Sequence, residues 1–254
     1  MKNRVVVVGA GEMGGVFARG FLKLGYPVVP ITRDMDLPGE LKQLYYVTSL
    51  IVAVGEKDLD EVLEQIPKNF HDRIVLLQNE LLPEDWQKHQ IPNPTVISVW
   101  FEKKQPQDFK VLIPSPVYGP QAKLVGDALA ALNIPTKACS SENDLLFELV
   151  LKNLYILTVN IAGLQVGGTV EELWKKHEDL ARAVADDVLN IQFAMIGKEL
   201  DRKKLMEGLL KAFEGDWQHK CMGRSAPDRL ERALEIAQKN DIAVPQLEKI
   251  KSAV

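Results

Sequence analysis

The stretch RVVVVGAGEMGG, residues 4–15, limits the fold more than any other part of the chain. The valine run reads as a β-strand buried on both faces, the signature of a parallel sheet. It runs directly into Gly9-x-Gly11-x-x-Gly14, and GGVFARGFLKLG then reads as a helix that stops at Gly25. Strand, glycine-rich turn and helix in this order open a βαβ unit that can hold a dinucleotide. In that role Gly9 permits the tight turn, Gly11 lets the backbone approach a pyrophosphate, and Gly14 lets helix and strand pack closely. The free N–H groups of the helix N-terminus, on Ala10, Gly11, Glu12 and Met13, would face the phosphates. A glycine-rich turn with no ligand is the plainer alternative.

The first half of the chain continues the alternation. YPVVPIT, SLIVAVG, RIVLLQN and TVISVWFE read as strands, and FKVLIPSPVYG as one or two more. KDLDEVLEQIP, PEDWQKH and QAKLVGDALAALN read as helices between them. Such alternation predicts an α/β domain of Rossmann type with a parallel sheet and helices on both faces. After about residue 137 the character changes. ENDLLFELVLKNLYILTVNIAGL, TVEELWKKHEDLARAVADDVLNIQFAMIGKEL, RKKLMEGLLKAFEG and PDRLERALEIAQKN all read as helical, with no convincing strand. Thr169 followed by Glu172 resembles a capping box. We place the boundary in NIPTKACSSEN, giving a nucleotide-binding domain over 1–138 and an all-helical C-terminal domain over 139–254.

Bulk properties exclude several classes. A net charge of −4 over 254 residues leaves no electrostatic footprint for nucleic acid or an anionic membrane. The two cysteines, Cys139 and Cys221, form no disulfide framework, which points to a reducing cytoplasm. His71, His89, His177 and His219 show no metal-ligand spacing and read as surface residues. The apolar run at the N-terminus is too short for a signal peptide. Leu145–Leu164 is near membrane-spanning length, but it carries Glu148, Lys152, Asn153 and Asn160 and reads better as a buried core helix.

The second strand bears on which dinucleotide would bind. NAD enzymes usually end it with an acid for the ribose 2′-hydroxyl. Here it ends in Thr32 and Arg33, and an arginine there can pair with a 2′-phosphate, so NADP is expected. Asp34 could be the ribose acid one position late, and Arg33 could be a solvated loop charge. The loop after the third strand brings Gly55 and Lys57 toward the nicotinamide ribose. Asn79, after the next strand, could hold a carboxamide, a ribose or a substrate carboxylate, or be a turn residue.

The long apolar helix raises the sharpest question, because burying a lysine or an amide without a partner costs about 2–7 kcal/mol. Lys152 in such a place could deliver a proton to a ketone oxygen and stabilise its developing charge. Asn153 and Asn160 could hold the lysine or bind substrate. Alternatively, Lys152 snorkels to the surface and the amides bond to neighbouring backbone.

Taken together, GAGEMGG at 9–15, ITR at 31–33, LLQNE at 76–80, LKNLYILTVNIAG at 151–163 and IAVP at 242–245 resemble the ketopantoate reductase (2-dehydropantoate 2-reductase) family. The likeness is collinear over most of the chain. It implies a nucleotide-binding α/β domain and a helical domain with the active site in the cleft between them. It further implies NADPH as donor, a small 2-keto acid as acceptor, and Lys152 as general acid. That family places asparagines at the fourth and eighth positions after the lysine. Asn160 matches the eighth, whereas the fourth is Ile156, and Asn153 could substitute in part. The usual Asn-Gly is Asn79-Glu80 here. Where a serine-rich stretch and a glutamate precede the last helix, this chain has Ser225, with Asp228 as the nearest acid. The substrate set implied is Asn79, Asn153, Asn160 and Asp228, and the oligomer could be a homodimer. Two other functions remain open: a related dehydrogenase of an imine or hydroxy acid, and a non-catalytic NADP-binding regulator.

Overall fold

The computed structural model describes residues 2–103 and 109–253. The chain forms two compact units, Met1–Glu148 and Leu149–Val254.

The first unit is built on one seven-stranded sheet. Its strands are β1 (Arg4–Val8), β2 (Val28–Ile31), β3 (Val47–Val52), β4 (Ile74–Leu76), β5 (Thr95–Ile97), β8 (Ser115–Tyr118) and β9 (Thr136–Ala138). Their order is β2-β1-β3-β4-β5-β8-β9. All neighbours pair in parallel except β5 and β8, which run antiparallel with Val96 opposite Tyr118. The central strands are apolar on both faces because helices cover both sides. Helix α1 (Glu12–Lys23) lays Val16, Phe17 and Phe21 on the sheet beside Val125, Ala128 and Leu129 of α5 (Ala122–Ala130). Gly20 lets these two helices touch, since a Cβ there would stand 2.4 Å from the Ala128 carbonyl oxygen. The remaining helices are α2 (Leu37–Lys42), α3 (Leu59–Gln65) and α4 (Glu84–Gln87).

The Rossmann-type α/β class and the helical C-terminal region stand as read, and local differences have local causes. TVISVWFE does not form a single strand. It breaks after β5, where Trp100 N donates to the Ser115 hydroxyl at 2.9 Å. It resumes as β6 (Phe101–Glu102), which pairs with β7 (Lys110–Val111) in a separate ribbon. The expected linker NIPTKACSSEN contains β9, which completes the sheet on the far side of β8. Helix α2, with Pro38 in its first turn, was not anticipated.

The second unit holds the rest of α6 (Glu142–Val166), then α7 (Val170–Lys176), α8 (Glu178–Ile196), α9 (Arg202–Gly215), α10 (Ala226–Lys239) and α11 (Pro245–Ala253). The capping box at Thr169 and Glu172 opens α7 with both of its hydrogen bonds present. The helix expected to continue from there ends at His177, whose φ of −139° and ψ of 37° are not helical, and α8 starts afresh. Helix α6 is long and apolar enough to cross a membrane by length and composition, but 83% of its apolar window is buried inside the protein. It is a core helix.

Helix α11 begins at IAVP with proline at the first helical position, where its missing N–H costs nothing. Val244 before it has no side-chain oxygen to cap the exposed N–H groups. Asp187 of α8 does so from outside, accepting from Gln246 N at 2.8 Å and Leu247 N at 3.0 Å.

Candidate functional site

In the sheet unit the glycine turn joins β1 to α1 beside a cleft of about 670 Å³. Its lining includes Gly9, Ala10, Gly11, Thr32, Arg33 and Gly55. A volume of this size suits a small organic ligand.

The three glycines of the motif serve different ends. Gly9 has φ +90°, and a Cβ on it would meet the Ala53 carbonyl oxygen at 2.6 Å. A Cβ on Gly14 would stand 2.0 Å from the Gly9 carbonyl oxygen. The protein itself demands both residues. Gly11 has an ordinary φ of −74°, and nothing lies within 4 Å of where its Cβ would be. The fold leaves room for a Cβ there, but the cleft would lose the space. Gly11 is also the N-cap of α1 and provides no side-chain cap for its first N–H groups. Glu12 is exposed in that turn, and Met13 packs against the core of the unit.

Thr32 and Arg33 follow β2. Arg33 Nη2 lies 3.5 Å from Asp58 Oδ2, and its side chain is 86% exposed. Asp58 ends a 3₁₀ turn, Glu56–Asp58, that starts at Gly55, and it also lines the cleft. Gln78 holds this loop in place. Its amide donates to the carbonyls of Val52 at 2.7 Å and Val54 at 3.3 Å, tying the end of β3 to the end of β4. Asn79 is half-buried just beyond, and Glu80 has φ +59°. The backbone thus keeps the left-handed conformation that glycine favours, although the residue is glutamate.

In the helical unit, α6 is buried at every position from Leu149 to Gly163 except Lys152, which is half-buried. A helix apolar all round belongs in a core, and this one opens at a single cationic residue. The Lys152 ammonium stands 5.8 Å from the Tyr155 ring centroid. Tyr155 in turn packs against Phe213 and His219, with ring centroids 5.8 and 6.2 Å away. His219 is thus half-buried against the Tyr155 ring, not on the surface as expected.

Asn153 and Asn160 share a side of α6 but meet different partners. Asn153 is 1% exposed and donates to Gln192 Oε1 of α8 at 2.9 Å. Asn160 donates to the Ile156 carbonyl at 2.9 Å and accepts from Arg229 Nη1 of α10 at 3.0 Å. Gly223 lies close by, its would-be Cβ 3.4 Å from Asn160 Oδ1. Asp228 is exposed in the first turn of α10, and Ser225 caps that helix without a side-chain hydrogen bond. Thiol chemistry is disfavoured in both units, since burial pushes Cys139 up to about 11 and Cys221 up to about 12.

No protein-family model and no curated protein matches the sequence. Solved structures match along the whole chain. A 2-dehydropantoate 2-reductase from Methylococcus capsulatus superposes with a TM-score of 0.68 at 14% identity, covering 98% of this chain and 95% of its own. D-mandelate dehydrogenase in complex with NADH gives 0.68 at 16% identity, with 98% and 96% covered. A dimeric ketopantoate reductase from Staphylococcus aureus gives 0.66 at 14% identity, again with 98% and 96% covered.

This chain has the ketopantoate reductase fold. Within that fold, three residues that sequence reading passed over carry site geometry. Arg229 is a charged residue only 9% exposed. Its signal was present, since it falls on the buried stripe Ala226, Arg229, Leu230, Ala233 and Ala237 of α10 at helical spacing. Gln78 is the buried polar end of an otherwise apolar strand stretch. Asp58 had no local signal, because only the turn after β3 brings it to Arg33. On this ketopantoate reductase fold, the sheet unit can hold a phosphate-bearing ligand along the glycine turn. The helical unit presents an ammonium and a guanidinium–amide pair, groups suited to an anionic substrate with a polar oxygen.

Proposed function

We propose that this protein is a nicotinamide-dependent reductase that converts the ketone of a small 2-keto acid to a hydroxyl, with NADPH as donor and Lys152 as general acid. The observation that carries the reading is the contrast among the glycines. Gly9 and Gly14 are required by the protein's own backbone, whereas Gly11 faces open cleft. A glycine without an internal reason, at the point where a pyrophosphate would approach, indicates a ligand.

Residues Gly9 through Gly14 and the first turn of α1 would hold the pyrophosphate. Thr32 and Arg33 would take the adenosine end, and Gly55 and Asn79 the nicotinamide end. The bound dinucleotide would supply the hydride. Lys152 would hold the ketone oxygen and donate the proton that completes the hydroxyl, a role worth about 10²–10⁴ in rate. Asn160, polarised by the Arg229 guanidinium, would bind a substrate oxygen. Asn153 is committed to Gln192 and serves by fixing α6. On α10, Arg229 suits an acidic substrate better than Asp228 does, since a carboxylate repels an acid. A small soluble substrate, a homodimer and a reducing cytoplasm for the free thiols accord with this reading.

The test is reduced-nicotinamide oxidation by the purified chain with 2-keto acids and with ketones that lack a carboxylate. Turnover confined to the keto acids supports the proposal. Tight dinucleotide binding with no turnover on any of them would favour the regulator.

A further inference from the structure

The ion pair at the cleft rim bears on which dinucleotide is chosen. The sequence offered Asp34 as the acid that could meet an adenosine ribose, but Asp34 is not part of the cleft lining. The lining acids are Asp58, from the turn after β3, and Glu61, from α3. We propose that Asp58 is the specificity-determining residue for the cofactor: it competes with a 2′-phosphate for Arg33 and keeps the site open to both NADP and NAD. This rests on the dinucleotide reading above.

The argument is electrostatic. Arg33 is the cation of this lining, and its guanidinium stands 3.5 Å from the Asp58 carboxylate. With side chains 86% and 37% exposed, the pair sits in water, so it is weak enough to be broken by a ligand. A 2′-phosphate can draw Arg33 away through stronger, two-pronged hydrogen bonds. The phosphate must then sit beside the carboxylate that Arg33 has left, with Glu61 adding a second negative charge to the same cleft. NAD brings a ribose diol in place of the phosphate. The diol suffers no such repulsion, and a carboxylate can accept its hydroxyl hydrogens. One arginine and two acids therefore favour neither cofactor strongly. A site with a free arginine would favour NADP.

Titrating NADP and NAD into wild type, Asp58→Asn and Glu61→Gln by calorimetry tests this. Wild type should bind the two within about tenfold of each other. Asp58→Asn should move the ratio toward NADP by about tenfold, with the gain fading as salt screens the charges. Glu61→Gln removes a charge from the same cleft without freeing Arg33 and should move the ratio by less than about threefold. If Asp58→Asn and a second variant, Asp58→Ser, both bind the two dinucleotides at the wild-type ratio, Asp58 does not set the choice. An equal shift from Glu61→Gln would assign the effect to net charge and also overturn the proposal. Binding of neither dinucleotide by wild type would overturn it together with the dinucleotide reading on which it rests.

Discussion

The glycine turn and helix α6 each place polar chemistry next to a core, by opposite means. In the turn the candidate binding groups are backbone. Their positions follow from a strand, a helix and two glycines that admit no Cβ, all within residues 4–23. In α6 the candidate groups are side chains on a helix stretch, Leu149–Gly163, that is mostly apolar and buried. Both asparagines bond to a residue far along the chain, Asn153 to Gln192 and Asn160 to Arg229. A site made of backbone can be read locally. A site made of side chains on a buried helix cannot be read until its partners are known.

The comparison breaks most readily at Lys152. Lys152→Met keeps the apolar bulk and the helix propensity and removes the charge. Turnover should fall by about 10²–10⁴ while dinucleotide affinity stays within a few-fold. A variant that melts early yet keeps near-native turnover would assign Lys152 to structure.

The two asparagines should then separate. Asn153→Leu leaves Gln192, only 3% exposed, without its amide donor and should cost about 1–3 kcal/mol of stability, read by denaturant unfolding. The double variant Asn153→Leu/Gln192→Leu should recover part of that loss, because the Gln192 oxygen is then no longer left without the Asn153 donor. If Asn160 meets substrate, Asn160→Leu should depress kcat/KM by more than its loss of stability explains.

At the cleft rim, Arg33→Ala should weaken NADPH binding by about 1.5–3 kcal/mol and leave NADH nearly unchanged, as expected for hydrogen bonds to a charged group. Equal losses for both would remove the 2′-phosphate argument.

The smallest effect lies in the scaffold. Asp187→Ala uncaps α11 and should cost about 0.5–2 kcal/mol, the range for a lost cap. Burial holds the Asp187 carboxyl above the usual aspartate range, against the pull of its two backbone N–H donors. The folded chain thus binds that proton more tightly than the unfolded chain does. The contribution is full below the unfolded value and declines as the pH rises through the folded one, so the deficit in the variant should be larger below pH about 4 than near pH about 8.

These contrasts explain what was legible in the sequence. The α/β start, the helical C-terminal half, the capping box at Thr169 and the glycine motif all express short-range rules of period, turn and cap. The antiparallel pairing of β5 with β8 escaped because strand direction is set by connections, not by composition. Strand β9 escaped because only pairing with β8 makes TKA extended. Arg229 and Asp58 escaped because their meaning lies in the residues they face. The left-handed turn at Glu80 was hidden by a residue that seldom adopts it.

The central claim is that position 11 is glycine for the sake of a ligand and not of the fold. Gly11→Val and Gly14→Val, each examined for melting temperature and for quenching of its fluorescence by NADPH, test it directly. Val at 11 should melt close to wild type and lose dinucleotide binding, because nothing lies within 4 Å of its Cβ and the added bulk takes space from the cleft. Val at 14 should melt far below wild type, because its Cβ collides with the Gly9 carbonyl. A Gly11→Val protein that folds and still binds NADPH with wild-type affinity would contradict the account.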